Sequence, residues 1–120
     1  MPKLNHVRCV LAVNDLKKST KFYIEKLGLK LDSEVEGWSF LSRDCYSIML
    51  GHCPDTVPAY ETGNHNYYVY VNVDEIDTLY NEYKSREIPT LGKIETKPWN
   101  MREFSVEKPD GHRIMFGMNL

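Results

Sequence analysis

Four histidines and three cysteines are the side chains of this 120-residue sequence best suited to metal binding or nucleophilic chemistry. Their spacing supports neither. His6, His52, His65 and His112 are scattered in a way that matches no ligand motif. His6 shares a strand face with Arg8, His52 follows a strand-like run, His65 precedes one and His112 follows a turn. Surface or edge positions are expected for all four. Cys9, Cys45 and Cys53 form an odd set without a Cys-x-x-Cys pair, so reduced thiols are expected rather than disulfides or a thiolate zinc site.

The aromatic residues offer a different chemistry. They make up 12% of the chain, and a planar ring holds a planar ligand by stacking, worth about 0.5–1.5 kcal/mol per good contact beyond burial. Trp99 lies in "TKPWN", a Pro- and Asn-flanked segment between strands, where a cleft-edge residue is more expected than a core one. Trp38 and Phe40 alternate along one strand. Phe22, Tyr23, Tyr80 and Tyr83 fall on helix faces and are expected in the core.

Two runs give away the elements that position these residues. "SIMLG" at 47–51 and "RIMFG" at 113–117 are near copies, and what precedes each also matches in order. In the first half, the strand-like "HVRCVLAV" (6–13) leads into "NDLKKSTKFYIEKLG" (14–28). That segment has a helix start at Asn14 or Asp15 and a stop at Gly28, with Leu16, Phe22, Tyr23 and Leu27 as its apolar stripe. Three short strand-like runs follow, 29–35, 37–43 and 46–51, joined by the turns Glu36-Gly37 and Arg43-Asp44. The second half repeats the plan. "NYYVYVNV" (66–73) precedes an amphipathic helix at 74–87 carrying Ile76, Leu79, Tyr80 and Tyr83. Strand-like runs at 88–96, 101–108 and 112–118 complete it, with a Pro-Asp-Gly turn at 109–111. The expected fold is α+β: one domain over 1–120 made of two βαβββ modules, about 4–52 and 65–118. A linker of about 53–64 joins them, with two prolines and no periodicity.

Composition narrows the class. Hydrophobic residues at 42% and charged residues at 27% suit a soluble globular protein. A formal net charge of -2 argues against a nucleic-acid surface, and the lysines of "DLKKSTK" read as a solvated helix face. No apolar run approaches the roughly 20 residues that cross a bilayer. Nor does the start of the chain resemble a targeting signal, so a cytoplasmic location with no membrane partner is expected.

The duplicated plan resembles the vicinal oxygen chelate superfamily, which includes glyoxalase I, extradiol dioxygenases and bleomycin resistance proteins. "HVRCVLAVNDLKKSTKFYIEKLGLKL" and "REFSVEKPDGHRIMF" carry the resemblance, while "YVYVNVDEIDTLYNEY" and "KPWNMREFSVEKPDG" look most like bleomycin resistance proteins. The resemblance implies that each module curls its mixed sheet into a half-barrel and that two modules close a cleft. Metal enzymes of the superfamily place ligands on the first and last strands of each module. The matching positions here are Arg8, Met49, Tyr68 and Met115, so the repeated Met stands where a Glu would. Arginine has no lone pair to give, thioether sulfur suits hard divalent ions poorly, and neutral tyrosine is weak. No metal, other cofactor or catalytic residue is therefore expected.

By the same register Tyr68 points inward with Tyr70 on its face, and Trp99 matches a drug-stacking tryptophan of bleomycin resistance proteins. Arg8 is expected to need a partner, either a carboxylate such as Glu103 or an anionic group on a ligand. The expected ligand set is Trp99, Tyr68, Tyr70, Arg8, Trp38, Phe40, Met49, Met115 and Glu103. The implied function is metal-independent binding of a small molecule, a bleomycin-like antibiotic or another planar ligand, sequestered in a homodimer-interface cleft. Two alternatives stand beside it. One is a metal-dependent lyase or oxidoreductase of the glyoxalase or dioxygenase type with displaced ligands. The other is a cofactorless isomerase or lyase using Glu103 as its acid or base.

Overall fold

A computed structural model describes residues 1–57, 61 and 67–120. His65, the start of the second module at 65 and much of the segment 53–64 lie outside the described residues. Ten elements follow in two matching sets. The first is β1 (Cys9–Val13), α1 (Leu16–Glu25), β2 (Lys30–Val35), β3 (Trp38–Arg43) and β4 (Tyr46–His52). The second is β5 (Tyr67–Asn72), α2 (Ile76–Ser85), β6 (Glu95–Lys97), β7 (Met101–Glu107) and β8 (Arg113–Asn119). The strand orders are β1-β4-β3-β2 and β5-β8-β7-β6. In each sheet the first strand pairs in parallel with the last and the other pairings are antiparallel. The fold is therefore α+β with two βαβββ modules, and neither sheet closes into a barrel.

Local chemistry sets the boundaries. Asp15 caps α1, its carboxylate accepting from the Lys18 backbone N–H at 3.0 Å. Gly28 ends that turn at φ +78°, and a Cβ there would lie 2.8 Å from an Arg43 guanidinium nitrogen. Of the run 88–96 only Glu95 and Thr96 are strand, in an element that extends to Lys97. Pro89 has no N–H to give a sheet, and Gly92 passes so close to β7 that its own N–H donates to the Ser105 carbonyl at 2.7 Å. Leu91 makes a single bridge to Val106.

One face of each sheet carries the core. Val13, Leu41, Ile48 and Leu50 lie under α1, while Phe104, Val106, Ile114 and Phe116 lie under α2, all buried. Tyr23, Leu27, Ile76 and Tyr83 complete the core from the helices, and Phe22 and Tyr80 pack half-buried against it. The two modules share this cluster and are joined at its edge by polar bonds. Arg43 grips Glu82 through two bonds of 2.8 and 2.9 Å, and the Tyr83 hydroxyl donates to the Leu27 carbonyl. Among the described residues, no helix is long and apolar enough to cross a membrane.

Candidate functional site

The faces turned away from the helices are where the candidate residues collect. Side chains alternate across a strand, so in β7 the buried Phe104 and Val106 put Glu103 and Ser105 on the opposite face. In β8 the same alternation puts Met115 and Gly117 there. Tyr70 of β5 pairs in register with Met115 and crosses above Gly117, where a Cβ would lie 1.8 Å from its hydroxyl oxygen. The hydroxyl donates to Glu103 Oε2 at 2.8 Å.

Trp99 reaches the same oxygen from a hairpin loop. Lys97-Pro98-Trp99-Asn100 is a turn closed by the Asn100 N–H on the Lys97 carbonyl at 3.1 Å. Proline presets its second position and Asn100 takes φ +63°, which asparagine tolerates. The indole, 60% exposed, donates from Nε1 to Glu103 Oε2 at 3.3 Å. Lys97 stands 5.9 Å from the centre of the indole ring. Glu103, only 7% exposed, is thus a carboxylate sunk beneath two exposed ring systems. Burial, then the bond to Glu103, pushes the Tyr70 phenol up to about 12, which keeps it a donor at neutral pH.

The first sheet presents a second group on its equivalent face. Phe40 pairs across the strands with Met49, and Met49 pairs on its other side with Val10. Trp38 lies against Gly51, where a Cβ would meet the indole at 2.9 Å. The glycine in each of the two echoing runs therefore seats an aromatic ring, Trp38 in one module and Tyr70 in the other. Arg8, exposed, places its guanidinium 5.7 Å from the centre of the Phe40 ring. The partners of Glu103 are Tyr70 and Trp99, not Arg8.

Tyr68 stands apart from both groups. A register irregularity between Tyr67 and Val69 breaks the alternation of β5, so Tyr68 does not share the face of Tyr70. Its hydroxyl sits between those of Tyr23 at 2.7 Å and Tyr46 at 2.8 Å, at the junction of the modules. Burial raises the phenols of Tyr23, Tyr46 and Tyr68 above their ordinary range. No periodicity or motif marks the residue that lies beside them. Lys108, its side chain 1% exposed, points Nζ at the ring faces of Tyr23 and Tyr68, 4.7 and 4.5 Å from their centroids. Nζ is 3.8 Å from Asp110 Oδ1 and has no hydrogen-bond partner among the described residues. Burial lowers this lysine to about 8, against the pull of Asp110. Asp110 in turn binds the His112 backbone N–H at 3.1 Å and its Nδ1 at 2.7 Å. Burial works to raise that carboxyl, and the His112 bond with the Lys108 charge holds it low. The Lys108-Pro109-Asp110-Gly111 turn has the same form as the Lys97-Pro98-Trp99-Asn100 turn, with Gly111 in the left-handed region at φ +88°.

The positions that hold metal in the superfamily fit a metal poorly. Arg8, Met49 and Met115 offer no hard donor, and the Tyr68 hydroxyl is engaged by two others. Among the described residues no three His, Cys, Asp or Glu side chains come together as a metal site.

The model of the glyoxalase/bleomycin resistance protein/dioxygenase superfamily matches residues 3–116. No curated protein matches the chain. Solved structures of the same fold include a bleomycin resistance determinant encoded on the transposon Tn5, 20% identical, with a TM-score of 0.81 over 97% of this chain and 98% of that one. A bleomycin-binding protein from bleomycin-producing Streptomyces verticillus, complexed with copper(II)-bleomycin, is 18% identical, with a TM-score of 0.75 over 97% of each chain. A lactoylglutathione lyase from Agrobacterium tumefaciens is 17% identical, with a TM-score of 0.72 over 98% of this chain and 96% of that one. At such identities the likeness is one of fold, and binders and an enzyme share it.

Proposed function

Because the chain belongs to the glyoxalase/bleomycin resistance protein/dioxygenase superfamily, we propose that it is a metal-independent binder of small molecules. It sequesters an antibiotic or another planar ligand, a reading supported by the bleomycin-binding proteins that share its fold. One observation carries this reading: Trp99 and Tyr70 present exposed rings on an open sheet face while both bind the sunken carboxylate of Glu103. Rings held in place by hydrogen bonds lose little freedom when a flat ligand stacks on them. The donor types at Arg8, Met49 and Met115 support a site that works without metal. The open faces of both sheets support a homodimer, with Arg8, Trp38, Phe40 and Met49 of one chain contributing to the cleft alongside the Trp99 group; we place it in the cytoplasm.

The test is a thermal-shift screen of protein stripped with chelator, against bleomycin, other planar natural products and glutathione conjugates. A ligand at about 100 times its dissociation constant is expected to stabilise the fold by about 2.7 kcal/mol. Stoichiometric iron, zinc, nickel or manganese in protein purified without chelator, required for any ligand response, would overturn the proposal. A sedimentation mass equal to one 14.0 kDa chain would remove the dimer from it.

A further inference from the structure

We infer that the group recognised at Trp99 is a planar cation, with Glu103 as its counter-charge; this rests on the binding function proposed above. A buried carboxylate is costly unless its charge is answered. Glu103 is 93% shielded, yet it takes part in no ion pair among the described residues. Both of its protein donors, the Tyr70 hydroxyl and the Trp99 indole N–H, are neutral, and both go to Oε2. Oε1 accepts no hydrogen bond from any described residue. The nearest cation to the indole, Lys97, is drawn instead to Glu95 at 2.7 Å. Oε1 is not among the buried atoms left without a partner, so it is open to solvent and to a positively charged N–H donor.

The surroundings specify its shape. The exposed rings of Trp99 and Tyr70 both bond this carboxylate, and such rings favour a flat group beside it and attract positive charge through their faces. An amidinium, a guanidinium or a protonated heteroaromatic ring meets all three demands. It stacks, it answers the charge, and it supplies a charge-assisted hydrogen bond to Oε1. A neutral ring of the same outline stacks but leaves the carboxylate unanswered, and an anionic one is repelled.

Three acridines of one ring outline make the test at pH 8: proflavine as the cation, acridine as the neutral ring and acridine-9-carboxylate as the anion. Dissociation constants come from fluorescence titration of wild type, Glu103→Gln and Trp99→Ala, with melting curves as the folding control. Wild type is expected to prefer proflavine over acridine by about tenfold or more, the worth of one hydrogen bond to a charged group, and to bind the carboxylate weakest. Glu103→Gln should bring the ratio of proflavine to acridine affinity to about one, whatever its effect on the two together, and Trp99→Ala should weaken every probe. Equal binding of proflavine and acridine by wild type, or a preference that survives in Glu103→Gln, would overturn the inference and leave stacking intact. If none of the three binds, the stacking function fails and this inference with it.

Discussion

Gly117 carries no side chain because Tyr70 occupies the space one would need. A methyl group there would lie 1.8 Å from the Tyr70 hydroxyl oxygen and 2.5 Å from Cζ, so the ring must swing away from Glu103. Gly117→Ala should therefore act through a residue it does not replace, breaking the 2.8 Å bond that holds the carboxylate. A hydrogen bond to a charged group is worth about 1.5–3 kcal/mol, so ligand affinity is expected to fall by roughly tenfold or more. The overpacking itself should cost about 1–3 kcal/mol of stability. Titration calorimetry beside a melting curve separates the two effects, and affinity equal to wild type would show that Tyr70 does not position Glu103. Tyr70, Glu103, Trp99 and Met115 all belong to the ligand set expected from the sequence, and the structure brings them to one sheet face. The loop position of Trp99 follows from its Pro and Asn neighbours. The hydrogen bonds were not legible, because nothing in a strand pattern says which carboxylate a hydroxyl on a neighbouring strand will reach.

At the level of elements, both βαβββ modules could be read from periodicity because each helix has a start signal and each hairpin a turn residue. Two places departed from that reading for local reasons. The run at 88–96 keeps only two strand residues, Glu95 and Thr96, since Pro89 and Gly92 interrupt pairing. The alternation of "YYVYV" gives no hint of the irregularity that sends Tyr68 into the junction. That junction holds Lys108 against Tyr23 and Tyr68, with Asp110 and Cys9 as its other electrostatic neighbours. It makes a pH prediction. Burial lowers Lys108 from 10.5 to about 8, so between those values the unfolded chain keeps a proton that the folded chain has released. Stability contributed by this group must then rise with pH across that window. Measured against Lys108→Met by urea unfolding, wild type should gain about 1.4 kcal/mol between pH 7 and pH 9. Burial pushes the neighbouring Cys9 thiol up and the Lys108 charge draws it down, so the comparison is made in a Cys9→Ser background in both proteins. A gap between the two proteins that stays constant with pH would show that Lys108 is not buried as a cation.

For the whole molecule, the duplicated fold leaves each module with one face on its helix and one face open, and the side chains on the open faces decide what the fold is used for. Fold and family could be read from nearly the whole chain, whereas the ligand could not, since aromatic residues look alike in sequence whether they fill a core or line a cleft. Tyr23 and Trp99 make the contrast: one is fully buried and the other 60% exposed. The central claim is that this chain binds a planar ligand at Trp99 without metal. Trp99→Ala tests it most directly, with melting temperature and affinity for the best ligand of the screen measured side by side in chelator. Affinity should fall by at least about 2 kcal/mol, roughly thirtyfold, while the melting temperature stays close to wild type. A variant that melts far below wild type, by the roughly 3–5 kcal/mol of a lost core tryptophan, yet binds as tightly when folded would contradict the claim.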